Sequence, residues 1–243
     1  MSVRFDFSQI LYHYLCDLST VEHKMIFLAN YYIRGKGGAT VRIHEKKNII
    51  LKRVFDIVGA VLLLVLASPV MLFVSLGVSI SLGRPVLFRQ KRVGRDGVEF
   101  EMLKFRSMKA GEEDGWTTGV DERKTRFGNF IRRTSLDELP QLINVLRGDM
   151  SLVGPRPEQP RYVEKFKTEI EGYEKRHSVK PGITGLAQIK GLRGDTSLTA
   201  RLAEDISYIE GWSIWLDIKI LFMTPAKMIN KGEKYTKGGP GDQ

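Results

Sequence analysis

Two adjacent acidic residues, Asp137 and Glu138, follow closely on the basic pair Arg132 and Arg133, and Pro140 comes two residues later. Proline is tolerated only in the first turn of a helix, so LDELPQLINVLRG reads as a helix that starts near Asp137 and stops at Gly148. The acidic pair would then sit at a helix N-terminus, where the dipole and unpaired amides keep carboxylates ionised and attract phosphate. Two carboxylates facing a phosphate repel it unless a divalent cation lies between, so the pair implies Mg2+ with Glu138 and Asp137 as ligands. Successive helical side chains point about 100° apart, which lets one carboxylate act as nucleophile and the other as metal ligand. The plainer reading is a capping box, Ser135 with Glu138.

Downstream, Leu152-Val153-Gly154-Pro155-Arg156-Pro157 holds one arginine between two prolines. Such a stiff loop suits a guanidinium that must meet a phosphate, and it suits a rigid connector equally well. There is no Walker-type glycine loop, no G-x-S-x-G elbow and no H-E-x-x-H, so several large enzyme classes lose support. His13, His23, His44 and His177 are scattered and Cys16 is the only cysteine, which leaves no histidine or cysteine metal cluster and no intrachain disulfide. A formal charge of +10 points to anionic partners: nucleic acid, acidic lipid or phosphorylated substrates. The basic residues gather around carboxylates and aromatic stacking motifs are missing, so no nucleic-acid partner is expected.

The element that must position this chemistry is VFDIVGAVLLLVLASPVMLFVSLGVSISL, residues 54–82, with the single charge Asp56. As a helix it reaches roughly 40 Å against a hydrocarbon core of about 30 Å, so length permits a crossing. Two features favour a re-entrant helix-break-helix. Ser68-Pro69 lies at the midpoint, where proline frees a carbonyl that the Ser68 hydroxyl can take, and each arm of about 20 Å is too short to span. Both flanks are also basic, Lys46, Lys47, Lys52 and Arg53 before and Arg84, Arg89, Lys91, Arg92 and Arg95 after, which places both ends on the cytoplasmic side. A single crossing and a buried core helix remain the alternatives.

The remaining pattern is α/β, mainly α with a small β-hairpin. RPVLFRQKRVG and VEFEMLKFRSM read as strands joined by Arg95-Asp96-Gly97. A polar loop is expected over Glu112 to Lys124 and a helix over about Gln159 to His177, before the turn KPGITG. In GWSIWLDIKILFMTPAKMI, Trp212, Trp215, Ile218, Leu221 and Phe222 fall largely on one face, as in an amphipathic helix lying at a membrane interface; a core-facing helix is the alternative. The N-terminus lacks secretory-signal features. The expected organisation is an N-terminal extension without assigned role, helical to about residue 34 with a glycine-rich linker at 35–38 (1–50), a re-entrant membrane hairpin (51–84), a cytoplasmic-face catalytic domain continuous with it (85–229) and a flexible tail (230–243).

Taken in order, KRVFDIVGA with Ser68-Pro69, FRQKRVGRDG, KFRSM, RRTSLDELPQLINVLRGDMSLVGPRP, KPGITGLAQIKG and YIEGWSIWLDIKILFMT resemble the bacterial sugar transferases, the monotopic polyprenyl-phosphate phosphoglycosyl transferases. The resemblance covers about residues 51 to 225. It implies a monotopic enzyme of the bacterial inner (cytoplasmic) membrane, facing the cytoplasm, that moves a sugar-1-phosphate from a UDP-sugar to polyprenyl (undecaprenyl) phosphate and releases UMP. That is the first lipid-linked step toward a surface polysaccharide. Asp137 would be the nucleophile, Glu138 a Mg2+ ligand, and Lys104, Arg132, Arg156 and Arg193 would neutralise phosphate. Asp56 and Asp217 match family positions with a structural, anchoring role. The stretch GLRGDT resembles members with a glucose-type donor, and galactose is the other hexose considered. The competing readings are a membrane-bound nucleotide-sugar hydrolase using the same dyad and a noncatalytic basic membrane scaffold; a homodimer is compatible with the sequence but not required by it.

Overall fold

The structure is a computed structural model that describes residues 43–109, 123–192 and 196–229. The expected N-terminal helix and linker, most of the polar loop before Lys124, Arg193 and the tail lie outside the described residues. The chain divides into two compact units, residues 1–52 and 53–243, and the fold and the site below belong to the second.

Helix α1 covers Ile43–Leu82, and from Ile49 onward it is long and apolar enough to cross a membrane. Its middle is bare: Val65 is 66% exposed and Leu66 74%. Such a surface needs an apolar surrounding other than this protein. Towards each end one side of the helix is covered, although Ile80 stays 87% exposed. Near the start, Asp56 and Ala60 are buried, and Arg53 donates to Val145 O (2.6 Å) and Leu146 O (2.9 Å). Towards the finish, Val74 and Val78 are fully buried with Phe105 and Ile131. Gly77 lies under the Phe127 ring so tightly that a Cβ there would overlap it. The break expected at Ser68-Pro69 does not interrupt the helix. Pro69 leaves Val65 O without its amide donor, and Ser68 Oγ donates to that carbonyl at 2.8 Å, which lets helical geometry continue. At the C-terminal end, Arg106 caps the last carbonyls, Leu82 O, Gly83 O (2.6 Å) and Arg84 O (3.2 Å).

The expected hairpin is present. Strands β1 (Leu87–Val93) and β2 (Glu99–Phe105) pair antiparallel with Phe88 opposite Lys104, and Asp96 (φ 56°) and Gly97 (φ 78°) make the turn. Helix α2 spans Arg126–Arg133, capped by Thr125, and α3 spans Gln141–Arg147. Gly148 ends α3 in the left-handed region, φ 95°, as its position predicts. The buried Asn144 of α3 gives β2 a substitute strand partner: its Oδ1 accepts from Leu103 N (3.0 Å) and its Nδ2 donates to Glu101 O (2.7 Å). Lys104, next along β2, is thereby fixed relative to the turn preceding α3.

Strands β3 (Ser151–Val153) and β4 (Gly182–Thr184) form a short parallel pair in the core. Asp56 ties α1 to it, accepting from Ser151 Oγ (2.9 Å) and Leu152 N (3.0 Å). Helix α4 runs only over Pro160–Glu169, shorter than the expected Gln159–His177, because Gly172 turns left-handed and a 3-10 segment, Tyr173–Ser178, follows. Short α5 (Leu186–Ile189), α6 (Leu198–Glu210) and α7 (Ile214–Ile229) complete the fold.

The aromatic residues around α7 do not share one face. Trp212 and Leu221 pack against the core, whereas Trp215 is 76% and Phe222 82% exposed. The helix therefore combines both expectations, with Ile220 and Asp217 fully buried and Trp215 and Phe222 pointing outward. Asp217 accepts from Tyr208 Oη (2.8 Å) and Trp212 Nε1 (3.1 Å), an anchoring role like that of Asp56.

Candidate active site

Asp137 and Glu138 occupy a 3-10 turn, Leu136–Glu138, and α3 begins three residues beyond the dyad at Gln141. The dyad thus precedes the helix that the sequence places it in. Ser135 adopts φ 57°, ψ 20°, a left-handed conformation costing a non-glycine residue roughly 1–2 kcal/mol, and its side chain makes no capping hydrogen bond. The capping box is absent, and Glu138 is turned toward cations instead.

Glu138 Oε1 accepts from Lys104 Nζ at 2.9 Å and from Arg156 Nη2 at 2.8 Å. Burial opposes ionisation of Glu138, but the charges of Arg156 and Lys104 outweigh it and hold the carboxyl well below its ordinary range. Asp137 behaves in the opposite way. Burial first and repulsion from Glu138 second push it up to about 6, with Lys104, Arg132 and Arg156 pulling the other way. Burial also lowers Lys104, against the pull of Glu138. Arg132 stands exposed on the last turn of α2, and its guanidinium reaches Met108 Sδ at 3.3 Å. The structure therefore brings together Asp137, Glu138, Lys104 and Arg156, keeps Arg132 within electrostatic range, and does not describe Arg193.

Gln188 was not expected from the sequence. With its amide oriented to satisfy both neighbours, its oxygen accepts from Arg156 Nη1 (3.3 Å) and its nitrogen donates to Ile183 O (3.1 Å). Its only signal is a place in KPGITGLAQIKG, a segment whose glycines show the reason for the motif. A Cβ at Gly182 would lie 2.0 Å from Gly154 N and one at Gly185 2.2 Å from Gly154 O, so the loop carrying Arg156 can seat against β4 only without side chains there.

No cluster of three or more His, Cys, Asp or Glu residues exists among the described residues, so a metal cage made by protein alone is absent there. Mg2+ is commonly held by one or two carboxylates together with substrate phosphates and water. The dyad fits that demand: both cations meet Oε1 of Glu138, so Oε2 and the Asp137 oxygens remain to face a metal.

Residues 47–231 match the bacterial sugar transferase family. The chain is 52% identical over 192 residues to the UDP-glucose:undecaprenyl-phosphate glucose-1-phosphate transferase of Escherichia coli K12, covering 76% of this chain and 41% of that protein. It is 44% identical over 192 residues to a Caulobacter vibrioides protein of the same name, covering 76% of this chain and 72% of that one. It is 44% identical over 179 residues to the UDP-N-acetylgalactosamine-undecaprenyl-phosphate N-acetylgalactosaminephosphotransferase of Aeromonas hydrophila, covering 72% and 42%. The match thus spans about two fifths of the length of the Escherichia coli and Aeromonas hydrophila relatives. With the family model matched over residues 47–231 and 72% of the Caulobacter vibrioides relative covered, the chain belongs to the bacterial sugar transferase family.

Proposed function

We propose that this chain transfers a hexose-1-phosphate from a UDP-sugar to undecaprenyl phosphate through a phosphosugar-aspartate intermediate, the initiating step of a lipid-linked glycan. The observation that carries the reading is the split dyad: Glu138 neutralised by Lys104 and Arg156, and Asp137 beside it retaining a proton affinity near neutrality. An Asp137 oxygen attacks the phosphorus next to the sugar, the bond to the second phosphate breaks, and UMP leaves. An oxygen of undecaprenyl phosphate then attacks the acyl phosphate, which returns the Asp137 carboxylate. Lys104, Arg132 and Arg156 offset the charge of the transferred group; phosphoryl transfer needs this and positioning above all. Asp137 and Glu138 would hold Mg2+, which would supply positive charge to offset that of the phosphates. The relatives are named for glucose and N-acetylgalactosamine donors, and glucose, as in the 52% identical protein, is the first donor to test.

The acceptor phosphate lies at headgroup level, and a re-entrant course of α1 sets the dyad there, in the inner membrane with the catalytic body in the cytoplasm. Two anchored ends support that course. Asp56 and Ala60 pack on β3 and α3 and Val74 and Val78 on β2 and α2, while the opposite side of α1 is bare along its length, through Leu66 (74% exposed) to Ile80 (87%). In a single crossing, one body could not hold both ends of a span of about 30 Å. Protein in nanodiscs is to be incubated with UDP-sugars and Mg2+, with and without undecaprenyl phosphate. Lipid-dependent UMP release with one sugar supports the transferase; steady release of sugar phosphate without lipid identifies a hydrolase.

A further inference from the structure

The loop Pro155-Arg156-Pro157 has a single backbone N–H among its three residues, so it cannot be held by its own donors. It is held by its carbonyls. Pro155 O accepts from Gly182 N (2.9 Å), Arg156 O from Arg176 Nη2 (2.8 Å) and Pro157 O from Arg92 Nη1 (3.0 Å). Of the two guanidiniums, Arg176 is the more deeply enclosed. Its side chain is 5% exposed, as is that of its ion partner Asp205 on α6 at 2.8 Å, and its Nη1 donates to Tyr173 Oη at 2.7 Å. The chain of contacts is continuous: Asp205 to Arg176, Arg176 to the Arg156 carbonyl, and the Arg156 guanidinium to Glu138.

We infer that Arg176, oriented by Asp205, is a positioning residue that holds the Arg156 backbone so that its guanidinium meets Glu138 and the transferred phosphate. A buried ion pair adds little net stability over a well-packed apolar pair, because desolvation offsets the attraction. What it supplies is direction: Asp205 meets Nη2 of Arg176, sets the plane of the guanidinium, and so aims the other N–H of the same Nη2 at Arg156 O. Asp205 lies 49 positions from Arg156 in the chain and touches no dyad residue, so its effect on turnover runs through the loop.

The inference rests on the proposed transferase reading, and its test separates the two. Arg176→Met with Asp205→Leu removes both charges together, and Asp205→Asn keeps the shape while weakening the hold. UMP release is to be measured for each, with Arg156 intact and in an Arg156→Ala background. With Arg156 present, the paired change is expected to lower kcat/KM about 10- to 100-fold, and in Arg156→Ala the further loss is expected to stay below about 3-fold. A full, multiplicative loss in Arg156→Ala, or no loss with Arg156 present, overturns the inference. Hydrogen exchange of the peptide spanning 154–158 reads the loop without catalysis. Asp205→Asn is expected to speed exchange there, and unchanged exchange contradicts the positioning role even if the paired variant fails to fold. Absence of UMP from the wild type would count against the transferase reading alone, since the exchange result still decides the loop.

Discussion

Asp137 and Glu138 are neighbours in one 3-10 turn, yet Asp137 is pushed up to about 6 while Glu138 is held well below its ordinary range. The difference comes from geometry. Glu138 Oε1 takes both Lys104 and Arg156, so it keeps its charge in a buried place, whereas Asp137 is raised first by its own burial and second by that neighbouring charge. A dyad arranged this way separates a permanent anion from a carboxylate that titrates near the working pH.

The first consequence is a pH dependence. Only ionised Asp137 can attack phosphorus, so kcat/KM for UMP release is expected to rise with pH through about 6 and level off above it. A pH–rate profile between 5 and 8.5 checks this; a flat profile would count against Asp137 as the titrating nucleophile.

The same shift has a stability cost with a definite sign. The folded protein holds the Asp137 proton more tightly than the unfolded chain, from an ordinary value of 3.8 up to about 6, so stability falls as pH rises between them. Asp137→Asn escapes that loss. It is expected to be more stable than wild type at pH 8, by on the order of 1–3 kcal/mol, with the advantage fading below about pH 4. Thermal melts at the two pH values measure the difference.

Much of the scaffold around this dyad is legible in the sequence. The apolar run of α1, the Arg95-Asp96-Gly97 turn and the Gly148 stop are local signals, each set by a few adjacent residues. The partners of Glu138 are another matter: Lys104 is 34 positions away and Arg156 18, and periodicity does not see such distances. A capping box and a cation-paired glutamate have the same S-x-x-E spelling, and only the left-handed Ser135 separates them. The early end of α4 at Glu169 was obscured because lysine and glutamate continue past it, while Gly172 makes the actual break. Family resemblance named Lys104, which no residue pattern singled out, and settled on phosphate for Arg156, where the two flanking prolines had left a rigid connector equally open, but it left Gln188, Arg176 and Asp205 without roles.

Glu138→Gln tests the pairing directly. It leaves Lys104 and Arg156 without their shared counter-charge, and a loss of about 1–3 kcal/mol is expected, read as a melting point lower by several degrees. The repulsion on Asp137 disappears at the same time, so the acidic limb of any residual activity is expected to move to lower pH. A limb that stays at the wild-type position would contradict the electrostatic coupling.

Trp215 and Phe222 stand outward on α7 with little protein around them. Trp215→Ser with Phe222→Ser is expected to weaken vesicle retention several-fold after extraction at high salt, and to leave the melting temperature in detergent nearly unchanged. Equal retention of the double variant would show that this face does not meet lipid.

Covalent transfer through Asp137 is tested most directly by trapping the intermediate. Wild-type protein is to be mixed with UDP-[14C]glucose and Mg2+ in the absence of undecaprenyl phosphate, with UDP-N-acetylgalactosamine and UDP-galactose as parallel donors, then quenched and digested for mass spectrometry. A burst of UMP approaching one per protein is expected, with a hexose-phosphate adduct on the peptide bearing Asp137 that is absent from Asp137→Asn and discharged by added lipid. UMP that appears only once lipid is present, with no adduct on that peptide, would mean that the transfer is direct and that Asp137 is not the nucleophile.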